Sequence, residues 1–125
     1  MDHALKSGLH QSTKVVINQR DLATSLETGE VPYAATPSLI IIMEKVICEM
    51  IHPEIPEGYT TVSAEINVKH LLPLAHNDHA TCSIHLKFVE DTKLFFDFAI
   101  FNTDEDIVAI GAHERFIVNK SEYVS

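Results

Sequence analysis

Cysteine is scarce in this chain, basic residues are outnumbered, and no apolar run is long. Only Cys48 and Cys82 occur in 125 residues. Both fall at apolar-phase positions, so they read as reduced, buried thiols of a cytoplasmic protein, not as a disulfide framework. Lys and Arg number 9 against 18 Asp and Glu, and the net charge is −9. That balance argues against nucleic acid as the main partner, because such binding rests on neutralised phosphates. An anionic small molecule is still compatible, since a few placed basic groups suffice for one. The longest apolar run extends only from Leu39 to Met43, far short of the roughly 20 residues a membrane helix needs. The start, Met1 to Lys6, has no apolar stretch behind basic residues, and no secretory leader is expected. A Gly-rich phosphate loop, a Cys-x-x-Cys pair and a Ser nucleophile elbow are all missing. His76 and His79 lack a third ligand at fixed spacing, so Ala75–His79 reads as a polar turn, and no metal or cofactor is expected.

What is present is enough apolar residue, 46%, for one ordinary core in one domain. Residues 1–13 are mixed and polar and read as a loose lead-in to a domain over residues 14–125. Lys14–Ala23 reads as a first strand, and Thr24–Val31 as a loop. Thr36-Pro37 is a helix start, with Thr36 as N-cap. The helix runs to Met50 or Ile51, where Pro53 and Pro56 follow. Leu39, Ile42, Met43, Val46, Ile47 and Met50 form its stripe, and Ile40 and Ile41 widen it until it reads as enclosed. Four strands follow. Thr60–Leu71 alternates, with Val62, Ala64, Ile66 and Val68 on one face and Thr61, Ser63, Glu65, Asn67 and Lys69 on the other. Ala80–Phe88, Leu94–Asn102 and Ile107–Asn119 are joined by short polar turns, which implies antiparallel hairpins. The expected class is α+β: one long helix wrapped by a five-stranded antiparallel sheet. A second copy is the economical cover for the rest of the helix.

Three polar residues stand where apolar ones belong. Thr36 opens the helix. Glu44 has Ile40, Ile41, Ile47 and Cys48 as its helical neighbours, so it is expected to be desolvated and to need a donor. His70 shares the parity of Val62 to Val68 and is expected to point at the helix. A hydroxyl, a carboxylate and an imidazole aimed at one core fit a structural hydrogen-bond network or an active site. A helix N-terminus can also polarise a carbonyl, with Ser38 and Leu39 as N–H donors because Pro37 has none. Eight helical residues span about 12 Å. Thr36 and Glu44 therefore meet at one atom only if the segment folds back or if two subunits share a pocket.

The run Ala35-Thr-Pro-Ser-Leu-Ile-Ile-Ile-Met-Glu44, then His70, then Gly111-Ala-His-Glu-Arg115, resembles the fluoroacetyl-CoA thioesterase family of hotdog-fold proteins over roughly residues 14–119. The resemblance implies a hotdog fold and a homodimer, or a higher oligomer built from it, with acyl-CoA clefts at the interface. It implies hydrolysis of an acyl-CoA thioester, with Thr36, Glu44 and His70 catalytic and no metal. Ser38, Leu39, Ser63, Gly111, His113 and Arg115 would bind substrate. The Arg115 fork suits the CoA phosphates, with a structural ion pair to Glu114 or to a neighbouring strand as the slightly favoured alternative. The fluoroacyl-specific pattern has phenylalanines where this chain has Glu27 and Glu30, and Gly where it has Pro37. A short or medium acyl-CoA is the implied substrate class. A non-hydrolytic acyl-CoA-binding module and a structural dimer are the alternatives. A hydratase is disfavoured, because the helix lacks an Asp and His pair.

Overall fold

The computed structural model describes residues 3–123. Its sheet contains β1 (His10–Val16), β2 (Tyr59–His70), β3 (His79–Glu90), β4 (Lys93–Phe101) and β5 (Ile107–Asn119). The strand order is β1-β3-β4-β5-β2, with every neighbouring pair antiparallel. Three helices accompany it: α1 (Ala23–Leu26), α2 (Thr36–Ile51) and α3 (Lys120–Tyr123). The chain leaves β1 at one edge, forms α2 against β1 and β3, and re-enters the sheet as β2 at the opposite edge. One long helix in a five-stranded antiparallel sheet is the expected hotdog arrangement.

The helix bounds follow from their signals. Pro37 sits in the first turn, and Pro53 follows the end. Leu39, Met43, Val46, Ile47, Met50 and Ile51 are buried against Leu86, Phe96, Phe98 and Ile100 of the sheet. Thr36 is not the N-cap: Ala35 holds that place in extended conformation, and Thr36 is already helical. Nor is the helix enclosed within one chain. Ile41 is 52% exposed, and Cys48, expected to be buried, is exposed while Cys82 is buried.

The first strand lies earlier than its composition suggests. It starts at His10, inside the expected lead-in, and ends at Val16. Ile17 is fully buried, and the chain then turns through Asn18–Asp21, where the Asp21 carboxylate accepts from Asn18 N–H. The lead-in is fastened, not loose. Leu86 N–H donates to Leu9 O, Gly8 N–H donates to Leu86 O, and Leu5 packs in the core.

Two bulges redirect side chains that alternation alone misplaces. In β2, Ser63 pairs with Arg115 and Glu65 pairs with Glu114, so Ala64 is an extra residue. Before the bulge Thr61 and Ser63 share the helix side of the sheet with their partners Ile117 and Arg115; after it Ile66, Val68 and His70 do. The expected inward Val62 instead lies opposite the half-exposed Phe116. In β3, Lys87 is the extra residue, and Phe88 turns outward to stack on Phe95 with ring centroids 4.2 Å apart.

Candidate active site

Three backbone bonds set the start of α2 and the end of β2 in place. Ala34 N–H donates to Leu74 O at 2.7 Å, and Ala35 N–H donates to Asp21 O at 2.9 Å, which fixes the entry to the helix. Leu71 N–H donates to Val108 O at 2.7 Å and pins the end of β2 to β5. Between these ties the Thr36 hydroxyl and His70 Nδ1 share a hydrogen bond of 2.8 Å. His70 Nε2 is buried and has no partner among the described residues. A cleft of about 430 Å³ opens over the pair, with Val31, Tyr33, Leu71 and Leu72 among its walls. These four side chains are all substantially exposed, so the cleft has an apolar rim over a polar floor.

A second polar group sits further along the same helix. Glu44 Oε2 accepts from Arg115 Nη1 at 2.7 Å. Arg115 Nε donates to the Thr61 hydroxyl at 2.9 Å, and Nη2 donates to Thr61 O at 3.2 Å. His113 Nδ1 faces Glu65 O at 2.8 Å. A carbonyl only accepts, so Nδ1 carries the proton and Nε2 offers its lone pair to Arg115 Nη1 at 3.2 Å. Burial pushes His113 below the ordinary imidazole range, and the Arg115 cation adds to this against the pull of the Glu65 carbonyl and Glu44. His113 is thus the neutral member of the group. The expectation of a desolvated Glu44 is corrected: its side chain is 32% exposed and its charge is met by Arg115.

The structure joins Thr36 to His70, and Glu44 to His113 and Arg115. Because α2 is continuous from Thr36 to Ile51, the chain does not fold back to unite the two groups. The remaining expected residues are placed differently. Ser38 is buried, and its hydroxyl donates to Asp21 O at 2.9 Å. The Ser38 and Leu39 N–H groups both go to Ala35 O, at 3.0 and 3.3 Å, so the expected carbonyl donors are already engaged. Leu39 itself is core. Ser63 is exposed on the helix side of the sheet, next to Arg115. Gly111 serves close packing: a Cβ there would run into the Asn67 carbonyl and come within 2.9 Å of the Phe98 ring. Arg115 is 6% exposed and forms a structural ion pair, as the favoured alternative had it, though with Glu44 of α2 and not with Glu114. Thr61 joins the Glu44 group through Arg115, although regular alternation puts it on the outer face.

The sequence model of the fluoroacetyl-CoA-specific thioesterase family matches residues 17–121. No curated protein matches the chain. Solved structures resemble it closely in backbone. The fluoroacetyl-CoA thioesterase FlK superposes with a TM-score of 0.89 at 20% identity, over 96% of this chain and 93% of that one. A Thermus thermophilus hypothetical protein of the thioesterase superfamily gives 0.85 at 19% identity, over 94% and 86%. A hot-dog-like protein from Thermanaerovibrio acidaminovorans gives 0.85 at 20% identity, over 94% and 86%. Matched by that sequence model over most of its length, the chain belongs to the fluoroacetyl-CoA-specific thioesterase family, a family of thioester hydrolases.

Proposed function

We propose that the protein hydrolyses a short or medium acyl-CoA to the free acid and CoA, with Thr36, His70 and Glu44 at the reacting thioester. The observation that carries this is the Thr36–His70 hydrogen bond at the floor of a cleft, with His70 Nε2 buried and unpartnered. An unsatisfied buried nitrogen costs about 1–3 kcal/mol, a cost expected where an incoming group completes the bond. The Thr36 hydroxyl is placed to orient the thioester carbonyl. Pro37 has no N–H, and those of Ser38 and Leu39 are engaged, so the Thr36 N–H is the first-turn donor left to polarise it. Glu44 Oε2 is held by Arg115, while Oε1 has no partner among the described residues. That oxygen either attacks the carbonyl carbon or takes a proton from an attacking water. When the carboxylate attacks, the C–S bond breaks to leave an acyl anhydride on Glu44, and water then hydrolyses it to the free acid and restores the carboxylate. When water attacks, the C–S bond breaks to give the free acid directly. In both routes the proton that the water loses ends on the departing CoA thiolate, with His70 as its carrier.

In this reading the working unit is a homodimer. The long strand β2 is a free sheet edge, and Ile41 is exposed on α2. Pairing of β2 edges would bring Glu44 of one copy towards Thr36 and His70 of the other, which resolves the separation of about 12 Å along one helix. No described helix is long and apolar enough to cross a membrane. Two free thiols fit a cytoplasmic setting.

The test is release of free thiol from acetyl- to octanoyl-CoA and from fluoroacetyl-CoA. Wild type should turn over at least one of them, and His70→Ala should be inactive while remaining folded and dimeric. No turnover, together with a raised melting temperature on adding the esters, would make the protein a binding module instead.

A further inference from the structure

We propose that the cavity between the end of α2 and the start of β2 receives the pantetheine arm of CoA, and that Lys120 and His52 at its mouth meet the CoA phosphates. The inference rests on the reading of Glu44 as a group at the thioester. CoA brings several negative charges to a chain whose own net charge is −9, so its phosphates need a placed cation. Suitable cations are few. Arg115 is buried and engaged by Glu44 and Thr61. Lys87 and Lys93 are paired with Asp97 and Glu114. Lys14 and Lys69 stand on the face of the sheet away from α2. Lys120 is placed differently. Its N–H donates to Gly58 O at 3.0 Å, directly after the Asn119–Tyr59 pair at the end of the β2–β5 ladder. The backbone position is thereby fixed while the side chain stays exposed.

The cavity beside it measures about 120 Å³, and Cys48, Ile51, His52, Thr61 and Lys120 are among its walls. Pockets that enclose a drug-sized ligand hold roughly 300–1,000 Å³, so this one suits a thin arm and leaves the nucleotide outside. Its inner end adjoins the reacting group: Cys48 lies one helical turn beyond Glu44, and Thr61 holds the Arg115 that pairs with Glu44. Its outer end is basic, and among the described residues no carboxylate lines it. The cavity that holds Lys14 and His79, at the opposite edge of the sheet, includes Glu105, which would repel the same ligand. Neither His52 nor Lys120 forms an ion pair among the described residues. From Glu44 to His52 the helix advances about 12 Å, a span that an extended pantetheine arm covers. The thioester has two substituents, and the proposed dimer offers two spaces. The cleft over Thr36 and His70, rimmed by Val31, Tyr33, Leu71 and Leu72, suits the acyl group. The cavity with the basic mouth is left for CoA.

The experiment compares an acyl-CoA with the acyl-pantetheine of the same acyl group, which lacks the phosphates and the adenosine. Steady-state hydrolysis is measured for wild type, Lys120→Glu, Lys120→Ala, His52→Ala, Cys48→Phe and Glu44→Gln, with Lys14→Glu as a charge control at the opposite sheet edge. The melting temperature of each is taken with and without CoA itself. Lys120→Glu should raise KM for acyl-CoA about tenfold while kcat stays within about threefold, the pattern of lost uniform binding. Its kinetics on acyl-pantetheine should not change. Lys120→Ala and His52→Ala should each raise KM for acyl-CoA about threefold. Cys48→Phe should fill the cavity and raise KM for both esters. CoA should raise the melting temperature of wild type but not that of Lys120→Glu. An unchanged KM in Lys120→Glu, an equal loss with acyl-pantetheine, or an equal loss in Lys14→Glu would overturn the phosphate contact. An unaffected Cys48→Phe would overturn the path of the arm. If Lys120→Glu does not fold, Lys120→Ala carries the test. A wild type inert on every thioester, yet stabilised by CoA through Lys120, refutes the activity and upholds the site. Glu44→Gln as active as wild type refutes the role of Glu44, and the path of the arm with it.

Discussion

At the first turn of α2 a hydroxyl and an imidazole share one hydrogen bond, and His70 Nε2 is left buried without a partner. Two turns on, Glu44 meets an arginine that is itself held by His113 and Thr61. The first pair is held by backbone and is chemically unfinished. The second is held by side chains, and only one carboxylate oxygen remains open. In the proposed reading, the difference separates two kinds of polar residue that look alike in sequence: those kept available to react, and those that keep another residue in place. The two groups should therefore fail differently when cut.

The largest contrast is between His70→Ala and Arg115→Met. His70→Ala should lower turnover by about 10²- to 10⁴-fold, the range for a lost general acid–base group. It should cost little stability, since a buried nitrogen without a partner leaves with it. Arg115→Met should instead lower stability by about 1.5–3 kcal/mol, because it breaks hydrogen bonds to a charged group. Thiol release and denaturant melts on both variants read the split. Equal stability losses would erase the distinction between the two ends of the helix.

Titration gives the next effect. Burial, aided by Arg115, holds His113 below its ordinary value of 6.5. Below that value the unfolded chain takes up a proton that the folded chain refuses. Stability should thus fall as pH drops through about 6.5, and level off above it. His113→Asn should flatten that part of the curve of melting temperature against pH. An unchanged slope would assign it to other groups.

The smallest effect tests the backbone ties. Ser38→Ala removes a buried hydroxyl from Asp21 O, which the Ala35 N–H still reaches. A loss of about 1 kcal/mol is expected, the usual worth of one such bond, with turnover nearly unchanged. A large loss of turnover would show that the helix entry, and not Thr36 and His70 alone, sets the geometry of the reacting pair.

Much of this was legible in the residues. Pro37, Pro53 and the apolar stripe bounded α2, and the polar turns at Glu90–Lys93 and Thr103–Asp106 marked the hairpins. Thr36, Glu44 and His70 stood out as polar residues in apolar phase. What stayed hidden depends on register or on backbone bonds. The extra residues Ala64 and Lys87 leave no mark in composition, yet they move Thr61 inward and Phe88 outward. The pairing of Arg115 with Glu44 joins residues 71 positions apart, and it follows from strand order, not from local pattern. The early start of β1 rests on backbone bonds of Gly8 and Leu9 to Leu86, which the polar side chains of the lead-in conceal.

The anchor of His113 has a genetic consequence. The Glu65 carbonyl that receives its proton belongs to the main chain, so every replacement of the Glu65 side chain would retain it. A substitution scan at position 65 would read the side chain's own dealings with Glu114 and Lys93, and not the carbonyl. Only a change in chain length beside it, such as deletion of Ala64, would return that carbonyl to the ladder. That anchor is encoded in a count of residues, and substitutions at position 65 would not find it.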